Sequence, residues 1–136
     1  MVVCDHTGKL IRAQARWYEY ASSARMMEAM AILDAVNLAS DMGWRGILVE
    51  SDALEVVNLW KSQDFAKADI VRPLQEIKEP GGNFISFSIS FVRRETNMAA
   101  HLTAKHASEV RRRCLCINIV PQFLRDVIGR ECITTE

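Results

Sequence analysis

Five residues, Gly46-Ile-Leu-Val-Glu50, form a continuous apolar run too short for a helix, with helix-period sequence before and after it. A run of this kind is expected for a strand buried on both faces, and such strands belong to parallel sheets covered by helices. The helix before it is expected over 24–42, where Ala, Met and Leu dominate and Glu28, Ile32, Ala35, Val36 and Ala39 share one face. Ser22 and Ser23 offer N-caps, and Gly43 stops the helix. Beyond the run, Asp52-Ala-Leu-Glu55 has the spacing of a capping box, and Leu54, Val57 and Leu59 sit in a helix ending near Ser62. Strand then helix, with a helix already in front, points to an α/β fold.

The flanking segments agree. Met1-Val-Val-Cys4, the turn formers Asp5-His-Thr-Gly8 and a second arm over 9–20 read as a β-hairpin. Ile70, Leu74 and Ile77 recur at helical spacing, with Pro73 leaving the start of that helix open, and Glu79-Pro-Gly-Gly-Asn83 is a break. Ile85, Phe87, Ile89 and Phe91 then alternate with serines, the period of a strand. Arg93-Arg94 turns the chain into a helix beginning near Thr96, for which Ala99, Ala100, Leu102 and Ala104 supply small packing residues. One domain is expected over 1–109, with 110–136 as a tail packed on it.

A chain of 136 residues, 49% apolar and 25% charged, is long enough to bury a core without metals or cross-links. Its four cysteines, Cys4, Cys114, Cys116 and Cys132, include no C-x-x-C pair and have the spacing of neither a disulfide framework nor a zinc knuckle. A reducing, intracellular setting is the expectation, and no leader-like segment or apolar run of membrane-spanning length is visible. Seventeen basic residues balance seventeen acidic ones, so any nucleic-acid contact must use local patches. Trp17, Trp44 and Trp60 lack the aromatic-plus-basic pattern of a base-stacking platform and read as packing residues. Three charges in Arg111-Arg-Arg113 are too few to argue a patch.

Several motifs, in order, carry a resemblance: Val3-Cys-Asp-His-Thr-Gly8, Glu28-Ala-Met-Ala31, Val49-Glu-Ser-Asp52-Ala and Phe91-Val-Arg-Arg-Glu-Thr-Asn97-Met-Ala-Ala-His101-Leu. Together they resemble the ribonuclease H domain in the reverse-transcriptase-like variant common in plant genomes and plant retroelements. The resemblance implies a ribonuclease H-like α/β fold, a mixed central sheet flanked by helices. It also implies that the family's first, central strand, which ends in an aspartate, is missing ahead of the hairpin. Asp5 is a poor substitute, because it sits in the turn before Gly8.

Ribonucleases H cleave the RNA strand of an RNA–DNA hybrid with two Mg²⁺ ions held by four carboxylates, which suit a hard, oxygen-seeking cation. By position, the resemblance makes Glu28 and Asp52 metal ligands, with carboxyl groups within about 8 Å of each other so that they share ions. Plainer readings exist: Glu28 as a first-turn acid favoured by the helix dipole, and Asp52 as an N-cap. At the last acidic position stands His101, a poor Mg²⁺ ligand that adds no negative charge. It reads either as a degenerate catalytic position or as a helix residue hydrogen-bonded nearby, while His106 falls off its face and is expected to be solvated. Arg93, Arg94 and Asn97 are candidates for gripping nucleic-acid phosphate, the arginines equally a solvated turn.

The resemblance therefore implies hybrid binding, weak Mg²⁺ affinity, and hydrolysis that is weak or absent in this chain. The alternative is a non-catalytic module using the same fold to bind a protein or nucleic acid. A missing central strand leaves two rows of backbone groups without partners, each costing about 1–3 kcal/mol if buried. The chain is then unstable alone, or the slot is filled by a strand from a second copy or by Cys114-Leu-Cys-Ile-Asn-Ile-Val120 folding back, a segment that could equally be helical in the family's tail.

Overall fold

The computed structural model describes residues 1–16, 22–65 and 68–131. Trp17 and the rest of the hairpin's second arm lie outside them. Two compact units emerge, one formed by 20–93 and the other by 1–19 with 94–136.

In the unit over 20–93, helix α1 spans Ala24–Asp41 and starts as the sequence suggests, with the Ser23 hydroxyl accepting from the Met26 N–H. It ends where Gly43, at φ +68°, takes the left-handed conformation that a Cβ disfavours. Strand β1 (Gly46–Ser51) pairs in parallel with β2 (Ser86–Phe91), and α2 (Leu54–Ser62) and α3 (Val71–Gly81) make the crossover between them. The core joins Ile32, Leu33 and Val36 of α1 to Val56 and Val57 of α2, Leu74 and Ile77 of α3, and Ile89 of β2.

Three expectations fail in this unit, each for a local reason. The 46–50 strand is not buried on both faces: Ile47 and Val49 turn toward the core, while Leu48 is 60% exposed and Glu50 is also exposed. The unit's helices all pack on one face of its two-stranded sheet, so the apolar run conceals a period of two. No capping box forms. The N-cap of α2 is Ala53 without a side-chain bond, the Ser51 hydroxyl accepts from the Ala53 N–H, and Glu55 pairs instead with Arg25 of α1 at 3.3 Å. Nor does 79–83 break the chain at once. Helix α3 runs on through Pro80 to Gly81, with Pro73 in its first turn, where the missing N–H costs nothing.

Gly81 is buried against β2, and an added Cβ would stand 2.7 Å from the Cε1 of Phe87. Overpacking of this kind costs about 1–3 kcal/mol, more than alanine's helix preference returns at a last turn. Gly81→Ala is therefore expected to lower the melting temperature, and a rise would show that the Phe87 ring yields freely.

In the other unit, β3 (Val2–Cys4) and β4 (Leu10–Ala15) form the expected antiparallel hairpin, with a register shift between Val3 and Cys4. A 3₁₀ turn (Arg94–Thr96) leads to α4 (Met98–Val110), so the helix begins two residues later than its motif suggests. Its inward side carries Ala99, Thr103 and Ala107, and Ala104 faces solvent. Strand β5 (Cys114–Ile117) pairs antiparallel with β4, and a 3₁₀ turn (Gln122–Leu124) and α5 (Arg125–Glu131) close the unit. Leu10, Ala13, Ala99, Leu124 and Ile128 are its buried core.

Residues 114–117 thus fold back as a strand, but not into the slot expected for them. The order is β3-β4-β5, so the new strand occupies the edge of β4 away from β3. Antiparallel and parallel ladders are both present, as expected of a mixed sheet: β3-β4-β5 is antiparallel and β1-β2 parallel. The cysteines depart from expectation as well. Cys4 is disulfide-bonded, whereas Cys114 and Cys116 are free thiols. Pairing follows closeness in the fold, which spacing along the chain does not report. No described helix is long and apolar enough to cross a membrane.

Candidate functional site

Glu28 lies in the second turn of α1, not the first, so the helix dipole does not account for it. It is half-buried, one turn before Ile32 on the stripe that faces the core. Asp52 follows the last residue of β1, at the carboxyl end of a parallel strand, where open α/β sheets place their ligand sites. The N-cap of α2 is the next residue, Ala53. Both carboxylates belong to the unit over 20–93, as does Arg93 at its end, while Arg94, Asn97 and His101 belong to the other unit.

Arg93 and Arg94 are exposed, Asn97 is the N-cap residue of α4, and His101 is half-buried one turn into that helix. His106 is not solvated as expected. It is half-buried and stacks on Phe123 with ring centroids 4.5 Å apart. The tail after β5 supplies that ring, and a helix-face argument cannot see a partner so far along the chain. Sequence reasoning also missed Glu131, whose carboxylate accepts from the Met98 and Ala99 N–H groups at 2.6 and 2.9 Å. Two donors at the start of α4 are thereby satisfied by an acid favoured by the helix dipole. An acid at the end of the chain gives no signal of this in sequence.

Asp5 is committed to its turn: one carboxylate oxygen accepts from the Thr7 hydroxyl, the Thr7 N–H and the Lys9 N–H. The Thr7 hydroxyl is the largest cause holding its carboxyl below the usual range, followed by the Lys9 N–H. The folded value is depressed, so the turn's contribution is present above the ordinary aspartate value and is lost as pH falls through the lowered one. Asp5→Asn is expected to flatten the acid limb of the melting profile below pH 3.8, the ordinary value, and an unchanged acid limb would count against this assignment.

The reverse transcriptase-like family profile matches residues 1–107, well over half of the chain. The chain belongs to the reverse transcriptase-like family. This reverse transcriptase-like chain is also similar in structure to RNase H1 from the halophilic archaeon Halobacterium salinarum NRC-1. The two share 26% identity at a TM-score of 0.60, over 65% of this chain and 68% of that one. No curated protein matches it at a significant level. The family and the structural likeness together make it a ribonuclease H-like domain. Among its described residues, no group of three or more His, Cys, Asp or Glu is arranged to hold a metal ion. A two-metal site needs shared carboxylates around each ion, and no such group is formed among the described residues.

Proposed function

We propose that this ribonuclease H-like domain binds RNA–DNA hybrid and cleaves it weakly or not at all. The observation that carries the reading is Asp52 at the carboxyl end of parallel strand β1, with Glu28 half-buried in the same unit. Glu28 and Asp52 are the residues through which it would hold Mg²⁺, weakly, because two carboxylates supply half the charge that the reaction uses. His101 is the degenerate fourth position and contributes no charge when neutral. Arg93, Arg94 and Asn97 are assigned to the nucleic-acid backbone, positioning the hybrid without reading its sequence.

Fluorescence anisotropy with a labelled hybrid tests the binding arm. The double substitution Arg93→Ala with Arg94→Ala is expected to weaken binding about 3–10-fold and to reduce the salt slope by about 1–2. Gel assays in Mg²⁺ test the other arm. No appreciable cleavage is expected, and turnover abolished by Glu28→Gln would show that another group completes the site.

A second reading, a protein-interaction module, is favoured by Leu48 and Ile85, which are 60% and 72% exposed. Hybrid binding absent at low salt would favour it over the first.

A further inference from the structure

The tail strand β5 carries a pair of thiols that the proposed function does not use. In the β4–β5 ladder Cys114 lies opposite Ala15 and Cys116 opposite Ala13, so both thiols emerge on one face of an edge strand. Both are half-buried, and Cys116 packs against the core that includes Leu10 and Ala13. Burial pushes the Cys114 thiol up, and the neighbouring Cys116 thiol adds to the rise.

Direct closure into a disulfide suits this geometry poorly. Residues two apart in a strand have Cα atoms about 6.6 Å apart, at the far end of the 4.4–6.8 Å range of disulfides. A bridging ion relaxes the demand. With metal–sulfur bonds of about 2.3 Å, the sulfurs need to come only within about 4–4.6 Å. Cys4 is already disulfide-bonded, and no third His, Cys, Asp or Glu completes the group among the described residues. Two soft donors and no more match a two-coordinate ion, whereas zinc asks for four ligands. Two thiolates around a monovalent cation carry one net negative charge, and three exposed arginines, Arg111, Arg112 and Arg113, immediately precede the strand.

We propose that Cys114 and Cys116 form a two-coordinate site for a soft monovalent d¹⁰ metal ion, with Cu(I) as the physiological member of that class. Binding replaces two S–H protons with one cation, and both protons leave to solvent, so no oxidation or reduction is involved.

Ag(I), which needs no reductant, is the probe for the full chain with the Cys4 disulfide intact. One equivalent of Ag(I) is expected to shield Cys114 and Cys116 together from iodoacetamide, as read by peptide mass. Cys114→Ser and Cys116→Ser are each expected to weaken binding at least 100-fold, with the far-ultraviolet circular dichroism unchanged. Cys116 touches the core, so if its variant unfolds, Cys114→Ser at the sheet edge decides alone. Cu(I), delivered to the same chain from a chromophoric chelator, should bind in the same one-to-one ratio and at least 100-fold more tightly than Zn(II). Unprotected thiols, retention of the ion by Cys114→Ser, a preference for Zn(II), or one ion per two chains would each overturn the proposal.

Discussion

A chain ending at Val110 is expected to lose the fold of the hairpin unit, not merely a peripheral strand. The truncation removes Leu124, which is fully buried, and Ile128, leaving Leu10, Ala13 and Ala99 as the remainder of that core. Each large apolar side chain taken out of the interior forfeits about 1.5–3 kcal/mol, before counting the partly buried Phe123 and Val127 that pack on the same cluster. It also strips β5 from β4 and the Glu131 carboxylate from the start of α4. Each hydrogen bond to a charged group is worth about 1.5–3 kcal/mol. The combined loss approaches the ~5–15 kcal/mol stability of a whole domain. Hydrogen exchange at the backbone amides of β4 is the measurement. Protection equal to that of the full chain would mean that 1–110 folds without the residues after it, and that the tail only decorates it.

Leu74→Ala is expected to destabilise the other unit by about 2–5 kcal/mol, lowering the melting midpoint by roughly 10 °C. Leu74 is fully buried on α3, among the side chains that join α3 to α1 and α2. The substitution deletes three carbons, Cγ and its two methyl groups, from a fully buried position in that cluster. Leu48→Ala is the control: the same substitution at a residue 60% exposed should stay within about 0.5 kcal/mol. Equal effects at the two positions would contradict the one-sided packing of the β1–β2 sheet.

The divalent-metal question turns on the same contrast between position and surroundings. Glu28 and Asp52 are the two acids that the family motifs point to, Glu28 in the second turn of α1 and Asp52 one residue before the N-cap of α2. Their assignment as Mg²⁺ ligands still rests on that motif match and on the chemistry of the donors.

Local signals proved sufficient wherever a few neighbouring residues carry the energetics. Ser23 caps α1 and Gly43 ends it because capping and left-handed φ are decided within four residues. The turn at Asp5, the hairpin, the strand at 86–91 and the end of α2 at Ser62 were legible for the same reason. The ordered motifs also carried the family, because their spacing along the chain encodes the order of elements. What the sequence alone could not determine depends on partners distant in the chain. Residues 114–117 read equally as strand or helix, and only the ladder makes them a strand on the outer edge of β4. An apolar run such as 46–50 looks the same whether one face or two are covered, because hydrophobicity records what can be buried and not what is available to bury it. His106 on Phe123, Glu131 on the α4 N–H groups and the Cys4 disulfide are contacts of the same kind. The first two join elements whose meeting is set by packing, and packing is a property of the folded chain.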